Sequence, residues 1–211
     1  MKHIFTFIAS VALLISCQGP QEPYNNFSRD FQEVNQAITD ILVHDIFSPP
    51  VAARVYVYST AAAYEVIAQT NDNYRSLHGQ FSDFPTVPAA PQDPNLVAEL
   101  AALHSAGIVG KALVFSEDRL QSHMDALFEK FEGHFSEAQI MASKTYGQVV
   151  ADAVLNWASK DNYNQTRTFT KYEINDDPMR WKPTPPDYMD GIEPHWRNIR
   201  PLVLDSAQMF K

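Results

Sequence analysis

A chain of 211 residues, 45% of them apolar, is long enough to bury one sizeable core, which excludes a disordered polymer and favours a single folded unit. Its formal net charge of −9 comes without the clustered lysine and arginine that neutralise phosphates, so a nucleic-acid binder is excluded. The single cysteine, Cys17, rules out an intramolecular disulfide and a thiolate metal cluster within one chain.

The chain begins with a positive residue, Lys2, an apolar run from Ile4 to Ile15, and Leu14-Ile-Ser-Cys17. This is the layout of a bacterial lipoprotein signal peptide over residues 1–16, cleaved before Cys17. Its loss would take the charge from −9 to −10. Lipid attachment at Cys17 would hold the mature protein on a membrane in the cell envelope, periplasmic or cell-surface, without spanning it. No later apolar run is long enough to cross a bilayer. Residues 17–26, with Pro20 and Pro23, read as a short tether.

The rest reads as all-α, a bundle of about five amphipathic helices over residues 27–160. Phe27, Phe31, Val34, Ile38, Ile41 and Leu42 recur at three- and four-residue spacing, so the first helix should run to about Phe47 and stop at Ser48-Pro49-Pro50. The second, from Val51 to about Thr70, is rich in alanine and tyrosine and should be largely buried. Residues 71–91 carry three prolines and no periodicity, which predicts a long surface loop. Asp93-Pro94 is expected to open the third helix, with Asp93 as cap and Pro94 in the first turn. Ser116 is expected to cap the fourth, ending at Gly133, and Ser136-Glu-Ala-Gln139 is a capping box for the fifth. No segment alternates as a strand would, and no repeat of fixed period occurs.

Residues 161–211 differ in kind. Trp181-Lys-Pro-Thr-Pro-Pro-Asp-Tyr188 and Glu193-Pro-His-Trp-Arg-Asn-Ile-Arg-Pro201 cannot form a packing helix. Proline fixes φ and removes a donor, so Pro183, Pro185 and Pro186 predict a stiff extended connector with its aromatic side chains pinned to a neighbouring surface. This segment has seven Lys/Arg against eight Asp/Glu, so nearly all the acidic excess lies before it.

A search for chemistry returns little. None of the seven histidines forms His-x-x-x-His or His-Glu-x-x-His, and His104, His123 and His134 read as surface or capping residues, so no metal ligand is assigned. His44-Asp45 is expected to make a polar contact with the loop that follows it. Gly107-Ile-Val-Gly110-Lys111 fails as a phosphate-binding loop in spacing and context, and its glycines are better placed to let a neighbouring helix approach. Gly-x-Ser-x-Gly, the nucleophile elbow of many hydrolases, is absent.

Two phrases carry a resemblance: Phe47-Ser-Pro-Pro-Val-Ala-Ala-Arg-Val-Tyr-Val-Tyr58 with Ala61-Ala-Ala-Tyr-Glu65, and the proline-aromatic segment from Trp181 to Pro201. Over residues 26–211 the chain resembles the vanadium-dependent haloperoxidase-like proteins of the type 2 phosphatidic acid phosphatase superfamily, and among them envelope lipoproteins of Bacteroidetes-type bacteria. That family holds vanadate or phosphate with a Lys-(six residues)-Arg-Pro motif, a Pro-Ser-Gly-His motif and a Ser-Arg-(five residues)-Gly-x-His motif. Arg200-Pro201 is preceded at the required position by Glu193 rather than lysine, and Pro-Ser-Gly-His does not occur. The resemblance therefore assigns no catalytic, cofactor-binding or metal residue here.

The chain then reads as the N-terminal part of such a protein, partnered by a catalytic bundle that would begin beyond Lys211 and would bind vanadate. Haloperoxidase and acid phosphatase activity remain equal alternatives for the parent, and a homo-oligomer stays open. Arg54, Tyr58, Tyr64, Glu65, Trp181 and Trp196 are the residues that would pack under or beside the pocket, although aromatic residues at helical spacing are ordinarily core. The alternative from another class is a non-catalytic helical lipoprotein that binds a glycan or protein partner through Trp181, Tyr188 and Trp196.

Overall fold

The computed structural model describes residues 23–206, 208 and 209. The expected signal peptide, Cys17 and residues 18–22 of the expected tether lie outside the described residues. Five long helices follow: α1 (Phe27–His44), α2 (Pro49–Thr70), α3 (Ala98–Ala112), α4 (Glu117–Glu132) and α5 (Glu137–Ala158). A single turn, α6 (Tyr163–Thr166), and a 3-10 turn (Trp196–Asn198) punctuate the remainder. Among the described residues the fold is all-α and has no sheet, only an isolated bridge between His78 and Phe81.

The helices run alternately up and down, and α3 occupies the centre against α2, α5, α4 and α1. Composition accounts for that placement. α3 carries Leu100, Ala101, Leu103, Ala106 and Val109 on more than one face, and a helix apolar all round has to be enclosed. By contrast α1 and α4 each bury one stripe, Val34, Ile38, Ile41 and Leu42 facing Leu120, Met124, Leu127 and Phe131. Full burial of a leucine or phenylalanine such as Leu103 or Phe131 stabilises the fold by roughly 1.5–3 kcal/mol.

Small residues set the closest approaches. A Cβ built on Gly147 of α5 would stand 2.6 Å from the Ala101 carbonyl oxygen of α3, so only glycine allows this pair to close. Gly110 faces Ile38 of α1 and Leu120 of α4, and Gly107 faces Met124 of α4, the helix-approach role expected of both.

The helix ends divide into those decided locally and those decided at long range. Ser136 Oγ accepts from Gln139 N–H while Gln139 Oε1 accepts from Ser136 N–H, the expected capping box. Helix α1 stops at His44, earlier than expected, because Ile46 takes φ 56° and the Phe47 N–H turns back to the Leu42 carbonyl. Asp45 does not bond the loop that follows it. Its carboxylate accepts from the Phe115 and Ser116 N–H groups and the Ser116 hydroxyl, tying the α1–α2 turn to the α3–α4 turn. Ser116 therefore stands at the N-cap of α4 but spends its hydroxyl on Asp45.

The expected start of the third helix is corrected. Asp93 closes a turn onto Asn95 N–H at 2.8 Å, and α3 begins only at Ala98, after Val97 donates its N–H to Ser143 Oγ of α5. At the lower end Tyr24 packs edge-on to Phe27 and Phe131 and donates to the buried Asp30, which also accepts from Lys130 at 2.6 Å. That fastens the start of α1 to the end of α4.

Candidate functional site

The upper end of the bundle gathers charge around one carboxylate. Asp161 follows the last turn of α5 and is 1% exposed. Arg54, one turn into α2, donates through Nε to Asp161 Oδ2 at 2.5 Å, and the Tyr58 hydroxyl donates to the same oxygen at 2.8 Å. The other oxygen, Oδ1, accepts from Tyr163 N–H and so opens α6. From the far segment, Arg200 donates to the Trp157 carbonyl at 3.0 Å and to the Tyr58 hydroxyl at 3.3 Å, while its own N–H bonds the Asp161 carbonyl. Its guanidinium lies 4.3 Å from the Trp157 ring centre, and that of Arg54 lies between the Tyr58 and Tyr163 rings at 4.9 and 4.5 Å. Arg200 Nε is buried and has no acceptor among the described residues.

Burial pushes the Tyr58 phenol well above its ordinary range, and the negative Asp161 beside it adds to the effect, against the opposing pull of Arg200 and Arg54. Tyr58 thus stays protonated and serves as a donor. Trp157 links the cluster to the long loop: its indole N–H donates to the Ser82 carbonyl, and Ser82 N–H donates to the Leu202 carbonyl at 2.7 Å. Beside these groups a 310 Å³ cavity opens between α2 and residues 196–204, lined mainly by apolar surface from Ala53, Val57, Trp196, Ile199 and Leu202.

Of the residues singled out from sequence, Arg54, Tyr58 and Trp196 meet at this cavity. Tyr64 and Glu65 do not. Tyr64 donates to the Arg75 carbonyl, and the fully buried Glu65 accepts from Ser76 Oγ, Gln69 Nε2 and Leu77 N–H, holding the start of loop 71–97. Trp181 lines a different cavity of 590 Å³ with Tyr172, Pro185 and Pro186, so Trp181, Tyr188 and Trp196 share no single stacking surface. The proline-rich segment is non-helical and non-strand around Pro183, Pro185 and Pro186, with one local turn. Pro185–Pro186 is a cis peptide in a turn closed by Tyr188 N–H on the Thr184 carbonyl; Trp181 is half-exposed and meets the Tyr172 ring edge-on and the Gly191 backbone, while Tyr188 is exposed. His104 is half-buried, its ring edge-on to Phe128, and burial, with Lys144 and Lys111 nearby, pushes its pKa down to about 4.

Sequence reasoning missed Asp161, Arg200 and Trp157 as one cluster. The only local signal was a polar Asp-Asn turn directly after an apolar helix.

The geometry was then set against known proteins. No protein-family model matches the chain, nor does any curated protein sequence. Among solved structures, a crystal structure described as the first bacterial vanadium-dependent iodoperoxidase superposes with a TM-score of 0.84 and 48% sequence identity, over 91% of this chain. This chain is vanadium haloperoxidase-like. It spans 46% of the iodoperoxidase chain, a little under half.

Vanadate can be tested against what this haloperoxidase-like chain presents. An oxyanion needs converging cations and N–H donors left free to meet it. Here Arg54 and Tyr58 are committed to the Asp161 carboxylate, Arg200 is committed to Trp157 and Tyr58, and the neighbouring cavity is mainly apolar. An oxyanion entering the cluster would meet a negative carboxylate. Among the described residues Arg200 Nε is the one buried donor of the cluster without a partner, and a single donor beside a carboxylate does not make an oxyanion cage, so this cluster fits a clamp of residues 196–204 onto α2 and α5 better than it fits vanadate.

Proposed function

We propose that this chain is the helical N-terminal part of an envelope vanadium haloperoxidase-like protein, and that it scaffolds a catalytic half without performing chemistry by itself. The observation that carries the reading is 48% identity to an iodoperoxidase across 91% of this chain, matched to only 46% of that protein. That identity favours halide oxidation over phosphate-ester hydrolysis as the parent's activity. The reading that the parent's vanadate ligands lie outside this chain draws support from the absence of the three oxyanion motifs in the sequence and from the engagement of Arg54 and Arg200 with internal partners.

The test is the natural product of the gene, purified from its source cells and given vanadate, iodide and hydrogen peroxide. Vanadate-dependent triiodide formation is expected, with none from the 211-residue chain. Ester hydrolysis without halide oxidation would transfer the reading to an acid phosphatase.

The lipid anchor on Cys17 belongs to the same proposal. It draws support from the signal-like sequence and from Tyr24, which is fastened to Asp30 at the end of the bundle opposite the Asp161 cluster. An anchor there would leave the upper end facing away from the membrane. Labelling of the wild-type chain by a radioactive fatty acid in cells, and its loss in Cys17→Ala, is the expected result.

A further inference from the structure

The lower end of the bundle holds an open hollow, away from the Asp161 cluster. Its volume is 360 Å³, and it lies between the start of α1, the second half of α2, the start of α3 and the loop after Thr70. Ala63, Ala102 and Leu103, all buried, supply an apolar floor. Four aromatic rings line it: Phe27 and Phe31 from α1, Tyr64 from α2 and Tyr74 from the loop. The two tyrosine rings meet edge to face, their centres 6.3 Å apart and their planes at 86°. Tyr64 is held by its hydroxyl on the Arg75 carbonyl at 2.9 Å, and the Tyr74 N–H closes a turn on the Asn71 carbonyl, so the ring of one and the backbone of the other are fixed.

One charged side chain lines this hollow, that of Glu99. An acidic residue in the first turn of a helix suits the macrodipole, which accounts for a carboxylate on α3 but not for its place beside four rings. Among the described residues Glu99 makes no ion pair and no side-chain hydrogen bond. The cations of α1 and α4 at this end are engaged elsewhere, Arg29 with Glu33 and Lys130 with Asp30.

An aromatic face attracts a cation through the negative side of its quadrupole, and a carboxylate beside it adds a counter-charge. A primary ammonium would bring three N–H donors into a hollow whose walls are mostly carbon. A quaternary ammonium donates no hydrogen bond, so rings and a counter-charge are enough to satisfy it. The geometry points to a binding site for a quaternary ammonium group, with Phe27, Phe31, Tyr64 and Tyr74 around its methyl groups and Glu99 as its counter-ion. The site is built by the bundle alone and does not rest on the proposed function. Its ligand chemistry is shared by a free choline-like solute and by the headgroup of phosphatidylcholine.

Calorimetric titration of the 211-residue chain with choline, and with dimethylbutanol as its neutral isostere, tests the site. Saturable choline binding is expected, about tenfold tighter than that of dimethylbutanol. Glu99→Gln should weaken choline by about the same factor and leave dimethylbutanol unchanged. Thr60→Trp, at an exposed position lining the hollow, fills it and should abolish binding of both. Melting curves show whether each variant folds, and Tyr74→Ala, also at an exposed position, replaces one that does not, with weakened choline binding expected. Absence of saturable choline binding, equal affinity for the neutral isostere, or wild-type choline affinity in any of the folded variants overturns the inference. Vesicle flotation separates the two sources of the group. Greater recovery with phosphatidylcholine than with phosphatidylethanolamine vesicles, the difference lost in Glu99→Gln, assigns it to a lipid headgroup; choline binding with equal recovery assigns it to a free solute, and either result sustains the site.

Discussion

Arg54 and Asp161 stand 107 residues apart in sequence and 2.5 Å apart in space, and this pair decides where the bundle ends and the exposed segment begins. Asp161 is almost wholly enclosed and Arg54 nearly so, so neither charge can be hydrated if its partner is lost. Asp161→Ala is expected to cost about 3 kcal/mol or more, because it leaves the Arg54 guanidinium and the Tyr58 hydroxyl without their acceptor. Replacing both partners with apolar residues, Arg54→Met with Asp161→Leu, should recover much of that loss, since the desolvation of two ions disappears with them. Urea unfolding of the three variants checks this. A double variant no more stable than Asp161→Ala would show that the pair contributes beyond satisfying itself.

Glu65 fastens the other long element. Its buried carboxylate receives Ser76 Oγ at 2.6 Å, Leu77 N–H at 2.8 Å and Gln69 Nε2 at 2.7 Å, three donors on one side chain. Glu65→Ala is expected to free the start of loop 71–97 and to cost about 2 kcal/mol through the unsatisfied Leu77 N–H and the cavity. Limited proteolysis should then cut within residues 71–91 well before the helices. Equal protection of this loop in wild type and variant would count against the assignment.

These two carboxylates also show what a sequence gives up and what it keeps. The Ser136–Gln139 capping box and the five helices depend on neighbours three or four positions away, and periodicity exposes them. The start of α3 does not. Asp93 and Pro94 look like a cap and a first turn, yet Val97 N–H finds Ser143 on another helix and fixes the start there. Arg54 and Tyr58 could be singled out on α2, but Asp161, Arg200 and Trp157 are joined to them only by the fold, across separations that carry no local pattern.

Gly147 and Gly107 offer a paired test of helix packing. Alanine at Gly147 would drive its Cβ against the Ala101 carbonyl at 2.6 Å, a backbone atom that cannot step aside without parting α3 from α5. Gly147→Ala should therefore destabilise by about 2 kcal/mol, overpacking outweighing the roughly 1 kcal/mol that alanine gains over glycine in a helix. At Gly107 the nearest atoms belong to the end of the Met124 side chain, which has rotatable bonds with which to retreat. Gly107→Ala should be close to neutral. Thermal melts of the two variants would have to come out equal, or reversed, to contradict this account.

His104 links acidity to stability. Burial beneath Phe128, reinforced by the positive Lys144 and Lys111, lowers its folded pKa to about 4 from the ordinary 6.5. Below pH 6.5 the unfolded chain takes up a proton at this site that the folded chain refuses, so stability falls with pH from about 6.5 down to about 4 and is no longer altered by this group below that. With allowance for partial screening by solvent, the loss between pH 7 and pH 4.5 should be about 2 kcal/mol. His104→Met removes the titration while keeping an apolar side chain against Phe128, so its stability should fall less over the same range by that amount. Carboxylates titrate in both proteins and cancel in the comparison. Parallel stability curves for wild type and variant would mean that His104 is as freely protonated in the bundle as in the unfolded chain.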